Sequence, residues 1–274
     1  MKVGRKEIAE ETVAYYKQGY YEVNGNKIDI SQLQKQSEEG SKLYTPEQGL
    51  ELIKIIKQKK GQRAITSICD KSTVEKIFEW NREGKTQIGI LNFASAKNPG
   101  GGFLNGAMAQ EESLAASSGL YGTQLKHPRY YEANRGVKSM MYTHHGIYSP
   151  EVVFFRDKNF QLVEEPVTAS VLTLPAVNMG QVIQKRESID LAKAAMKERM
   201  RIALAIFINE GARYLILGAY GCGVFRNDPL EIAQWWKELI VEENYGVYFD
   251  EICFAILDIS KDKKCLRAFQ RIWS

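Results

Sequence analysis

The amino-acid sequence predicts an α/β fold with a largely parallel central sheet and helices on both of its faces. Three observations predict it. Short apolar runs bounded by glycine or charge alternate with segments whose apolar residues recur at helical spacing. The amphipathic stretch from Glu187 to Glu210 passes through Gly211 straight into Tyr214-Leu215-Ile216-Leu217-Gly218, the helix-to-strand step of such folds. Two glycine-rich loops, Gly100 to Gly106 and Gly221 to Gly223, each follow an apolar run and precede a helix, and ligands of such sheets bind at the carboxyl ends of the strands.

Glu7 to Tyr16 has helical spacing and stops near Gly19, which gives a first helix. Pro46 to Lys60 gives a second, with proline near its first turn, Leu50, Ile53 and Ile56 on one face and lysines at its C-terminal end before Gly61. Ala64 to Cys69 reads as a strand. Asp70 to Glu75 starts a helix reaching about Glu83, with Asp70 suited to its N-cap. Gln87 to Ala94, apolar between Gly84 and Lys97, reads as a buried strand, and Gln110 opens a short helix through Ser118. Met140-Met141-Tyr142 and Val152 to Phe155 read as strands of undetermined order, and Ala169 to Leu174 as a strand stopped by Pro175. Leu230 to Glu243 is a further helix and Glu251 to Leu257 a last strand.

The stretch Asn98-Pro99-Gly100-Gly101-Gly102-Phe103-Leu104-Asn105-Gly106-Ala107-Met108-Ala109-Gln110-Glu111-Glu112 puts three glycines and two adjacent carboxylates in one connection. Alone, the glycines make an ordinary loop and the acids an ordinary helix start. In this order after a strand they point to a site, because backbone that approaches a phosphate or sugar closely needs glycine. Two glycine loops at neighbouring strand ends can grip a diphosphate from two sides with backbone N–H groups. Neither loop matches the Walker A or GxGxxG pattern.

On the three glycines, the spacer Phe103 to Ala109 and Gln110-Glu111-Glu112, the sequence resembles the poly(ADP-ribose) glycohydrolases. Gly218-Ala219-Tyr220-Gly221-Cys222-Gly223-Val224-Phe225 is similar to the second ligand loop of the bacterial-type members, and the resemblance runs over most of the chain. It implies a macrodomain-like three-layer α/β/α sandwich with a mixed, largely parallel sheet and an N-terminal helical extension to about residue 60, all in a single domain over 1–274. It implies hydrolysis of the ribose–ribose bond of poly(ADP-ribose), with Glu112 as the acid that later activates water and Glu111 holding ribose hydroxyls. Such cleavage needs a proton for the leaving oxygen, and neighbouring carboxylates that resist joint ionisation can divide the tasks. Asn98, Gly100, Gly101, Gly102 and Gln110 would line the first side of the substrate, and Gly221, Cys222, Gly223, Val224 and Phe225 the second, with Phe225 on the distal ribose. Asp70 would meet the adenine amino group. No cofactor and no metal is required. The partners expected are poly(ADP-ribose) or an ADP-ribosylated macromolecule as substrate and ADP-ribose as product. A mono-ADP-ribosyl hydrolase and a non-catalytic ADP-ribose reader are the alternatives; the intact Glu111 and Glu112 count against the reader.

At 274 residues, with 44% hydrophobic and 26% charged residues, the chain suits one large soluble unit. The net charge of +4 is modest, and its clusters Lys57-Gln58-Lys59-Lys60 and Lys261-Asp262-Lys263-Lys264 read as solvated surface, so sequence-specific nucleic-acid binding is not expected. Cys69, Cys222, Cys253 and Cys265 lack CxxC spacing and read as reduced thiols, while His127, His144 and His145 lack metal-ligand spacing. The charged start Met1 to Glu7 has no apolar leader and no run is long enough to span a bilayer, so a cytoplasmic location and no membrane partner are expected.

Overall fold

In a computed structural model of the chain, which describes residues 4–56 and 60–274, the N-terminal segment is a mixed layer rather than a purely helical one. It comprises α1 (Arg5–Gln18), the hairpin strands β1 (Tyr20–Val23) and β2 (Asn26–Asp29), α2 (Ser31–Gly40), β3 (Lys42–Tyr44) and α3 (Pro46–Ile55). Gly19 ends α1 at φ +82, and a side chain there would meet Ser31 Cβ at 2.7 Å, so the turn into the hairpin requires glycine. Thr45 and Gln48 form the capping box that starts α3, which stops at Ile55 because Ile56 is extended, short of the expected Lys60. Lys57, Gln58 and Lys59 of the basic cluster lie outside the described residues.

The sheet-forming units follow. They are β4 (Ile65–Cys69), α4 (Thr73–Arg82), β5 (Ile88–Ala94), α5 (Gln110–Ser117), α6 (Leu120–Leu125), α7 (Pro128–Gly136), β6 (Gly146–Arg156), β7 (Leu162–Pro175), α8 (Met179–Gln184), α9 (Ile189–Asn209), β8 (Tyr214–Leu217), α10 (Pro229–Lys237), β9 (Glu251–Ala255) and α11 (Lys264–Trp273). The seven-stranded sheet runs β3-β6-β7-β5-β8-β9-β4. Its β7-β5-β8-β9-β4 half is parallel, and β6 pairs antiparallel with both β3 and β7.

Alternation along the parallel strands explains why both faces are covered. Leu91, Leu172, Leu174, Leu215, Leu217, Ile252 and Phe254 enter the core that holds Met196, Met200, Phe207 and Trp236 of α9 and α10. Ile88, Ile90, Val171, Ile216 and Cys253 face the other way, onto Val74, Ile77, Trp80 and Leu114 of α4 and α5. A strand apolar on both sides can only be stable between two helical layers. Here the sheet has one on each face.

Met140-Met141-Tyr142 is not a strand. It is a turn, with Tyr142 at φ +57 and the carbonyls of Met141 and Tyr142 taken by Arg199 instead of a neighbouring strand. Nor does Asp70 cap α4: Ser72 does, its hydroxyl accepting from Glu75 N at 3.1 Å. The helix expected to run on from Leu230 widens into a π turn over Glu238–Glu242.

Candidate active site

The two glycine loops leave β5 and β8, adjacent strands in the sheet, at their carboxyl ends. In the first, Gly100 and Gly101 have φ +63 and +60, values that L side chains rarely adopt. The loop thereby curls over the start of α5. Glu112 Oε1 accepts from Gly102 N at 3.0 Å and Oε2 from Ala109 N at 3.0 Å, so the carboxylate lies along the loop with its side chain partly exposed. A β-carbon on Gly101 would overlap Glu112 Oε1 and stand 3.1 Å from Glu111 Oε2; both carboxylates thus converge on this one α-carbon.

The two acids differ in setting. Glu111 is 3% exposed, with Ser95 N donating to Oε2 at 2.6 Å, and Asn92 Nδ2 (3.2 Å) and Gln124 Nε2 (3.0 Å) donating to Oε1. Burial pushes its carboxyl up to about 8, against the lowering effect of those three donors. Thr173 Oγ1 accepts from both amides, and Gln124 Oε1 accepts from Gly100 N at 2.8 Å. The network is buried and binds the glycine loop to the first turn of α5.

Gln110 is an anchor in the same region. Strand β5 pairs with β8 only over Ile88–Ile90. Beyond that, Gln110 Oε1 accepts from Phe93 N and its Nε2 donates to Leu91 O, both at 2.9 Å, so its amide fastens α5 to the strand edge. Asn98 is exposed at the head of the loop, where its carbonyl accepts from Gly101 N. Asp70 is exposed too, its carboxylate 2.5 Å from Lys263 Nζ and held below its ordinary range by that contact.

The second loop is pinned from beneath. Tyr220 OH donates to Leu174 O, Asn227 Nδ2 donates to Val177 O and Gly221 O, and Gly180 N donates to Phe225 O. Gly221, at φ +73, has Ala176 Cβ and Asn227 Nδ2 each 2.6 Å from where its β-carbon would be. Cys222 is half-buried and in no disulfide, its thiol donating to Tyr220 O at 3.7 Å. Val224 is 82% exposed and Phe225 half-buried at the rim. The loops divide the work. The N–H groups of Gly100, Gly101 and Gly102 are already bonded to Gln124, Asn98 and Glu112. Those of Gly223, Val224 and Phe225 make no hydrogen bond among the described residues, which leaves three successive donors in the second loop for an anion.

Asn92, Gln124 and Thr173 have no counterpart among the residues expected from the sequence. Asn92 carries a signal, as a lone amide inside an otherwise apolar strand that must find a buried partner. Gln124 and Thr173 carry none, because their neighbours come from separate elements.

The family model described as microbial-type PARG, catalytic domain, matches residues 9–157. Among solved structures, the chain is similar to poly(ADP-ribose) glycohydrolase from Thermomonospora curvata at 34% identity and TM-score 0.94, covering 98% of each chain. The same enzyme bound to the inhibitor ADP-HPD matches at 34% identity and TM-score 0.91, over 97% of this chain and 98% of that one. The Deinococcus radiodurans enzyme in complex with ADP-ribose matches at 39% identity and TM-score 0.84, over 90% of this chain and 99% of that one. No curated protein matches the chain. With a family model that spans more than half of the chain and relatives of this identity over nearly its whole length, the chain belongs to the microbial-type poly(ADP-ribose) glycohydrolase (PARG) family.

Proposed function

We propose that this protein releases ADP-ribose from poly(ADP-ribose) by hydrolysing the ribose–ribose O-glycosidic bond, with Glu112 as general acid and then general base. The placement of Glu112 carries the reading: it is a partly exposed carboxylate held by two backbone N–H groups against the loop, with its neighbour Glu111 enclosed behind it. Protonated Glu112 gives its proton to the leaving ribose oxygen as the C–O bond breaks. The carboxylate then takes a proton from the water that attacks the anomeric carbon, which restores the acid. Glu111 is too enclosed to attack that carbon. Its Oε2, turned towards Gly101, is where we place a ribose hydroxyl.

We assign the diphosphate to the free N–H groups of Gly223, Val224 and Phe225, and the distal ribose to the ring of Phe225. We assign Asn98 to a ribose and Asp70 to the adenine amino group; Asp70 must then share its carboxylate between the ligand and Lys263. The relatives' complexes with ADP-ribose and ADP-HPD support the ligand class. We read the chain as one domain, since Tyr44 and Phe269 share a core, and its setting as cytoplasmic, which its four free cysteines support. Among the described residues, no helix is long and apolar enough to cross a membrane.

The test is to incubate the protein separately with poly(ADP-ribose), a mono-ADP-ribosylated protein and ADP-ribosylated DNA and to measure ADP-ribose released. Release from the polymer well above the other two is expected. Release from a mono-conjugate alone would overturn the polymer reading.

A further inference from the structure

The turn that replaces the strand expected at Met140-Met141-Tyr142 lies beside the proposed site and is held in an unfavourable backbone conformation. Tyr142 has φ +57, a region that bulky side chains enter only when their surroundings force them to, and such residues cluster where a site needs a particular side-chain direction. Its half-buried ring stands 6.1 Å from the ring of Phe225, tilted by 41°, within the range of a packed aromatic pair. The Tyr142 hydroxyl makes no hydrogen bond among the described residues, so packing against Phe225 is what its conformation achieves.

What forces the turn is a cation. Arg199 of α9 is fully buried and has no carboxylate partner among the described residues. Its guanidinium donates to Pro175 O at 2.8 Å, Met141 O at 2.8 Å and Tyr142 O at 3.4 Å, and its Nε to His144 Nδ1 at 3.2 Å. Pro175 is the last residue of β7, so one side chain ties the turn to the strand end at the cleft. Burial pushes the His144 imidazole down to about 3, which keeps it neutral and able to accept. Glu187 adds a further clamp by accepting from Met140 N at 2.9 Å and from the Ser139 hydroxyl. A buried guanidinium held only by carbonyls and an imidazole is an expensive way to fix a turn, and its placement is explained if the turn must present Tyr142 to the site.

We propose that Tyr142 forms with Phe225 a two-ring wall of the distal-ribose subsite, and that Arg199 is the positioning residue that holds Tyr142 there. This rests on the assignment of Phe225 to the distal ribose.

The variant that isolates the ring is Tyr142→Gly, because glycine adopts φ +57 without strain and leaves the Arg199 contacts to the backbone in place. We expect its melting temperature to equal or exceed that of the parent, while its Kd for ADP-ribose by calorimetry weakens about tenfold, the scale of one lost aromatic contact. Arg199→Met should weaken ADP-ribose binding in the parent yet add nothing in the Tyr142→Gly background, which a purely structural arginine would not do. Unchanged affinity in Tyr142→Gly, or additive losses in the double variant, would overturn the proposal. Should Arg199→Met fail to fold, the affinity of Tyr142→Gly still decides it. Failure of the parent protein itself to bind ADP-ribose would instead refute the functional reading on which the proposal rests.

Discussion

Gly101 and Glu112 are packed so closely that a β-carbon on the glycine would overlap the carboxylate Oε1. The glycine also has φ +60, so any side chain there meets backbone strain as well as the acid. Gly101→Ala should therefore displace Glu112 or unwind the loop. We expect kcat to fall on the order of a hundredfold, as a misplacement of about 1 Å can cost, with a modest drop in melting temperature. Steady-state kinetics beside thermal melting tests this; parent-like kcat would show that Glu112 need not sit where it does.

Glu112→Gln keeps the shape and removes the proton. Hydrolysis should fall by at least about a hundredfold, the usual scale of a general acid, while ADP-ribose affinity stays within about twofold. Measuring turnover and calorimetric Kd on the same preparation separates the two. Near-normal turnover would assign the acid to another group.

Glu111 should make stability depend on pH in a specific direction. Its folded value of about 8 lies above the ordinary carboxylate range, so the folded chain binds a proton that the unfolded chain has lost between roughly pH 4.5 and 8. The stabilisation is complete below about pH 4.5 and is lost as the pH rises through about 8. Glu111→Gln cannot titrate, so from about pH 5 to 9 its melting temperature should fall less than the parent's, whatever its absolute value. Parallel curves would mean that the Asn92, Gln124 and Ser95 donors hold Glu111 ionised throughout.

What is legible in the sequence follows from how local each signal is. The parallel strands and α9 are readable because apolar period and glycine stops are local, and the proximity of Glu111 and Glu112 because they adjoin in the chain. The rim residue Phe225 is reached through resemblance rather than physics. The β1–β2 hairpin, α2 and α7 escape a sequence reading because their apolar content is sparse and their burial is supplied by partners far along the chain; Tyr21, for instance, packs on Phe155. The turn at Met140 to Tyr142 reads as a strand because its three apolar residues carry no mark of the buried Arg199, 57 positions after Tyr142, that dictates its conformation. The roles of Gln110 and Gln124 depend on which strand edge and which loop amide each meets, relations that exist only once the sheet has formed.

A divalent metal can also hold a diphosphate, through carboxylate ligands, and the proposed mechanism makes no use of one. In the proposed mechanism the anion is met instead by the successive N–H groups of Gly223, Val224 and Phe225, and the proton is assigned to Glu112, whose own contacts are backbone amides. Neither step involves a metal-activated water. Turnover of poly(ADP-ribose) should therefore be unchanged, within about twofold, in excess EDTA. Loss of activity on chelation that added magnesium restores would overturn this division of labour: Glu112 would then be a metal ligand, and its bonds to Gly102 and Ala109 would orient it for a cation instead of for the leaving oxygen.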